Sequence, residues 1–185
     1  MEYNELIHSM KEKAGLVQAV VLTVSSMAEV LRYAVDLTLR QNGKTIAVPG
    51  LDSESRQKLE EICSASGLTV LQPPLRNHQS EIHTALTGAD WAIAETGTLV
   101  LDSDSEDLRI ATMLSETHIA WIIASRILPD ATALSAYLVE KMKSPPGYMA
   151  FITGASRTAD IERVLAIGVL GPQELNILIM EENPL

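Results

Sequence analysis

The stretch His118-Ile119-Ala120-Trp121-Ile122-Ile123-Ala124 decides the fold class. It is apolar throughout after its first residue and lacks the period-2 alternation of a half-solvated strand. It therefore reads as a strand buried on both faces, the signature of a parallel sheet. Leu16 to Val24, interrupted by Gln18, reads the same way, and Leu175 to Met180 reads as the last strand. Thr45 to Val48, stopped by Pro49-Gly50, and Leu68 to Leu71 are shorter versions. Helix-length segments lie between them. Residues 4–14 place Leu6, Ile7, Met10 and Ala14 at helical spacing, and Ser26 with Glu29 forms a capping box that opens a helix to about Arg40. Asp52 or Ser53 caps another to about Ser66, closed by Gly67. Further helices are expected over Glu81–Leu86, Asp107–Met113, Pro129–Met142 and Thr158–Ile167. Trp91–Ala94 and Thr98–Leu101 read as two strands around a tight Glu95-Thr96-Gly97 turn, and Tyr148–Thr153 as another strand. Strands alternating with helices give an α/β fold, a mostly parallel sheet sandwiched by helices. The domain reading is a short N-terminal helix over 1–15 and a single α/β domain over 16–185.

Composition narrows the function. The chain has 185 residues, 46% of them hydrophobic, enough for a sizeable core. Fourteen basic against 24 acidic residues leave a net charge of -10, a field that repels phosphate backbones, so no nucleic acid is expected as partner. The longest apolar runs fall far short of the ~20 residues of a membrane span. The opening MEYNELIHSMKEK has no apolar h-region, so a cytoplasmic location is expected. One cysteine, Cys63, allows no internal disulfide and holds no iron–sulfur cluster or structural zinc by itself. It shares a helix face with Leu59 and Ile62 and reads as a buried thiol.

Two turns carry the chemistry. In Ala94-Glu95-Thr96-Gly97-Thr98-Leu99, a glycine between two threonines exposes backbone N–H groups and hydroxyls to an anion, or else it only allows the bulged turn. Glu95 stands there as a base, a nucleophile or a solvated carboxylate. In Thr153-Gly154-Ala155-Ser156-Arg157-Thr158, an apolar strand runs into a turn that opens a helix. Helix-start amides, Ser156, Thr158 and the Arg157 guanidinium suit a phosphate or carboxylate; the same hydroxyls also serve as N-caps, with Asp160 and Glu162 as dipole partners. The acidic run Asp102, Asp104, Glu106, Asp107 has the start of a calcium-loop spacing but lacks its glycine and terminal glutamate, and Ser103 with Glu106 makes a capping box instead. His78 and His83 are five residues apart, ~140° around a helix, and form no zinc pair, so no metal is expected. His118, at the start of a strand, is either a core residue or part of the site.

Thr87 to Leu101, then His118-Ile119, then Gly154 to Glu162, then Gly168-Val169-Leu170-Gly171-Pro172, resemble in that order the LUD-domain family, and within it the lactate-utilisation protein C (YkgG-like) group. The resemblance spans about residues 15 to 182. Ala155 stands where the family usually has proline, and Leu170 where a histidine is common. It implies a fold similar to the ribose-5-phosphate isomerase and CoA-transferase group. It also implies a role beside iron–sulfur partner subunits in oxidising L-lactate to pyruvate, with no cofactor in this chain. The chemistry of the two turns, rather than the resemblance, puts a small anionic metabolite near Glu95, Thr96, Gly97, Thr98, His118, Gly154, Ser156, Arg157 and Thr158. Two alternatives remain: an acyl-transfer enzyme using Glu95 as nucleophile, and a small-anion-binding regulatory module. Whichever reading holds, the two turns should lie beside each other at the carboxyl ends of their strands, where open α/β sheets place a ligand crevice.

Overall fold

A computed structural model of the chain describes residues 3–143, 147–158, 166–168 and 171–181. The first helix, α1 (Tyr3–Leu16), is longer than its apolar spacing suggests. It ends in a Schellman motif: Gln18 N–H bonds Gly15 C=O at 3.0 Å, Ala19 N–H bonds Ala14 C=O at 3.0 Å, and Gln18 sits at φ 64°. The strand expected from Leu16 is corrected accordingly, because this capped end takes residues 16–19 and β1 (Val20–Val24) starts only after it. Then follow α2 (Met27–Arg40), β2 (Thr45–Ala47), α3 (Ser53–Ala65) and β3 (Thr69–Val70). Ser26 caps α2 and Asp52 caps α3, both through the side-chain oxygen, and Gly67 at φ 72° closes α3.

The second half runs β4 (Thr84–Gly88), β5 (Trp91–Ile93), β6 (Thr98–Asp102), α4 (Glu106–Leu114) and β7 (Thr117–Ile123). After it come β8 (Ile127–Leu128), α5 (Ser135–Lys141), β9 (Met149–Ile152), β10 (Arg157–Thr158), β11 (Ala166–Ile167) and β12 (Glu174–Met180). The helix expected over Glu81–Leu86 is instead the approach to β4 and its first three residues. Thr84 to Thr87 are all buried between β2 and β7, and a short run buried on both faces looks alike as helix or strand in sequence. α4 is capped by the Ser105 hydroxyl; Ser103, the expected cap, is buried. The helix expected over Pro129–Met142 is shorter, a 3-10 turn at Thr132–Leu134 leading into α5.

Six strands form one parallel sheet in the order β1-β12-β7-β4-β2-β3. The fold class read from the sequence is therefore the one observed. On one face α2 and α3 pack Val30, Leu31, Leu59 and Cys63 against Ile46, Leu86, Ile119 and Leu178. The other face is covered by α1, α4 and a second sheet of order β8-β5-β6-β9, in which β5 and β6 form the expected antiparallel pair. Ile7, Met10 and Ala14 of α1 are buried between the two sheets, against Ala92 and Leu99 on one side and Ala120, Ile122 and Ile177 on the other. α5 covers the outer face of the small sheet around Ile93 and Val100.

Candidate ligand cleft

The end of α1 sets the two turns side by side. Gly97 has φ 65°, and a Cβ there would strike the backbone of Ala14. Gly154 has φ 76°, and a Cβ there would strike the carbonyl of Val17. Both turns therefore press against the same four-residue stretch of backbone, which only glycine permits. A hydroxyl chain joins them: Thr96 Oγ1 lies 2.7 Å from Thr98 Oγ1, and Thr98 Oγ1 lies 2.8 Å from Thr153 Oγ1.

Beside the second turn opens a cleft of about 270 Å³. One wall is β9 and its continuation, Ala150 to Gly154; the facing wall is the end of α4 at Thr112 and Met113. His118, Leu175, Ser156 and the Gly171-Pro172 turn complete the lining. His118 and Leu175 are register partners and the second residues of β7 and β12. The two turns thus lie together at the carboxyl ends of β5 and β9, as expected. The cleft, however, sits at the amino ends of the large sheet's central strands. The reason is the small sheet, which brings the end of β9 over that edge.

The His118 ring is buried, 1% exposed, and its Nε2 lies 2.8 Å from Thr87 Oγ1. Desolvation pushes its pKa down to about 4, so the imidazole is neutral at physiological pH. Its Nδ1 has no hydrogen-bond partner among the described residues. The Ser156 backbone is already used: its N–H bonds Pro172 C=O at 2.9 Å and its C=O accepts from Gly168 N–H at 3.0 Å. Only its hydroxyl, packed against Gly171, is left to a ligand. Among the described residues no charged side chain lines the cleft.

The other expected site residues stand around this cleft rather than in it. Glu95 and Thr96 are exposed, Gly97 is buried under α1, and Thr98 reaches the cleft only through Thr153. Arg157 is exposed, and among the described residues no carboxylate lies within ion-pair distance of it, Glu95 included. The helix expected from Thr158 is corrected at both ends. Arg157-Thr158 pair antiparallel with Ala166-Ile167, a ribbon closed by the Gly168-to-Ser156 bond, so no helix-terminal amides face an anion there. Residues 159–165, with Asp160 and Glu162, and Leu170 lie outside the described residues.

Thr87, Thr153, Met113 and Leu175 were missed as site residues. Thr87 and His118 face each other only because β4 and β7 pair with Thr87 opposite Ala120, a register that no local pattern encodes. The acidic run is structural. Lys141 pairs with Asp102 and Asp104, Asp104 accepts from Tyr148 N–H at 2.6 Å, and Asp107 accepts from Leu75 N–H at 2.7 Å. Cys63 is buried with its pKa raised to about 11, an unreactive thiol. Among the described residues no group of three or more His, Cys, Asp or Glu is placed to hold a metal, and no helix is long and apolar enough to cross a membrane.

The layers and the cleft together define an α/β protein with a small, uncharged pocket between a parallel sheet and a mixed one. The chain belongs to the LUD-domain family, whose model matches residues 7–180. Among its relatives, a lactate utilization protein C of Geobacillus sp. (strain WCH70) is 35% identical over 110 residues, covering 58% of this chain and 46% of the relative. A lactate utilization protein C of Macrococcus caseolyticus is 28% identical over 166 residues, covering 87% of this chain and 68% of the relative. The match thus spans under half the length of the Geobacillus protein. A crystal structure of a DUF162 family protein from Deinococcus radiodurans shares the fold, with TM-score 0.63 and 21% identity over 97% of this chain and 99% of that one.

Proposed function

We propose that this chain serves lactate utilisation in the cytoplasm, as a non-redox member of an L-lactate-oxidising system whose electron carriers reside on iron–sulfur partner chains. The observation that carries this reading is the family match over residues 7–180 together with relatives named lactate utilization protein C. The one cysteine is buried and its thiol is held protonated, so it ligates no iron–sulfur cluster, which fits a reading that puts the clusters on partner chains. The small carboxylate of such a system is received at the rim of the cleft. There Arg157 follows Ser156 directly, and the Thr153 hydroxyl, next to Gly154, joins the Thr96–Thr98 turn through Thr98. The exposed guanidinium supplies the charge that the cleft itself lacks.

Two measurements test it. A strain lacking this chain should fail to grow on L-lactate as sole carbon source, and Arg157→Ala should restore growth less well than the unaltered chain. Affinity capture of the native chain should bring down cysteine-rich, iron-containing partners. Undiminished growth on lactate, with no such partner captured, overturns the proposal.

A further inference from the structure

The cleft offers a ligand hydrogen bonds but no charge. Its polar groups are the Thr112, Thr153 and Ser156 hydroxyls and the His118 ring. The Thr112 hydroxyl is spent on the helix carbonyls of Leu108 and Arg109, at 2.9 and 3.2 Å. His118 Nε2 is taken by Thr87, leaving Nδ1, the Ser156 hydroxyl and the Thr153 end of the threonine chain. The remaining walls are apolar, from Ala150, Ile152, Pro172 and Leu175. The hollow adjoining the cleft across Met113 and Gly171 carries the carboxylate side chain of Glu116. An anion moved against His118 would lose part of its hydration and meet no cation among the described residues. A carbonyl would lose far less, because hydroxyls replace the water it gives up.

We infer that the inner cleft takes an uncharged carbonyl compound, a short amide or ester, whose oxygen is met by the Ser156 and Thr153 hydroxyls beside His118. The neutral state of the desolvated imidazole agrees with this assignment. It is a second subsite, adjoining the rim where the carboxylate was placed, with exposed Thr153 at the border of the two. It stands on the lining of the cleft alone and not on the lactate reading.

The test titrates the purified full chain with pyruvamide, methyl pyruvate and sodium pyruvate at neutral pH, following the histidine ring signals by NMR. His118 is recognised as the ring that does not titrate down to about pH 5, and by its absence in His118→Gln. Pyruvamide and methyl pyruvate should move the His118 signal with an affinity at least about tenfold above that of pyruvate, the discrimination expected from one unpaired buried charge. Ser156→Ala, which removes a hydroxyl at a half-buried position, should weaken amide binding about threefold to tenfold while leaving the other histidine signals unmoved. Pyruvate binding at His118 as tightly as the amide overturns the assignment. So does the failure of all three probes to move His118 at ~10 mM. Neither result touches growth on lactate, which tests the proposed function separately.

Discussion

At the scale of single residues, His118 and Gly97 show how burial and backbone geometry replace side-chain identity as the cause of an effect. His118 has its pKa depressed from 6.5 to about 4 by desolvation. Above pH 6.5 the ring is neutral in both folded and unfolded chains and costs nothing. As pH falls from 6.5 toward 4, the unfolded chain takes a proton that the folded one refuses, so stability drops, by on the order of 3 kcal/mol at completion. The expected outcome is that urea midpoints fall between pH 6.5 and 4 for the native chain, with a visibly shallower slope for His118→Gln. Equal slopes would show that the ring reaches solvent. Gly97 gives the second case. Its φ of 65° and the Ala14 backbone against it leave no room for a branched side chain, so Gly97→Val should lose at least about 1–3 kcal/mol. Gly15 meets nothing within 4 Å of an added Cβ, and Gly15→Ala should raise stability slightly, by about 0.5–1 kcal/mol. Thermal melts of the two variants moving in the same direction would refute this reading.

At the scale of elements, α1 explains why the candidate site exists at all. Its apolar face, Ile7, Met10 and Ala14, fills the space between the sheets, and its capped end holds the Gly97 and Gly154 turns. Met10 is fully buried, so Met10→Ala opens a cavity and should cost about 2–5 kcal/mol, read as a lower denaturant midpoint at unchanged slope. A change below about 0.5 kcal/mol would mean that the helix is only loosely applied. The helix itself was legible in the spacing of residues 4–14, and its end was not. Gln18 fills a left-handed position that glycine usually takes, so nothing in the sequence marks the stop. Where glycine does mark it, at Gly67 after α3, the boundary was read correctly. The expected helix from Thr158 fails for the opposite reason. Its capping residues are genuine cap formers, but the strand pairing of Arg157-Thr158 with Ala166-Ile167 uses the same backbone.

At the scale of the whole molecule, the net charge of -10 and the single cysteine bound what the chain does alone. Purified in bulk it should be colourless, with iron and zinc far below one atom per chain by elemental analysis. Stoichiometric metal would contradict the division of labour proposed with iron–sulfur partners. The salt bridges are surface pairs for the most part and contribute little to stability. Stability instead rests on the continuous core around the parallel sheet, with fully buried Leu31, Ile46, Ile119 and Ile122 on its two faces.

The sequence by itself determined the α/β class, most of the strands, the antiparallel pair around Gly97 and the buried state of Cys63, through local patterns: apolar runs of strand length, caps, and glycines in turns. The family was legible separately, through the resemblance of the blocks around Thr87–Leu101 and Gly154–Pro172 to the LUD-domain family. Tertiary structure alone decided where those pieces meet. The pairing of β4 with β7 put Thr87 on His118, and the packing of α1 put two distant glycine turns together. The small sheet moved the cleft to the amino ends of the large sheet's strands. Registers and layer contacts of this kind join residues far apart in the chain, and no window of neighbouring residues carries them.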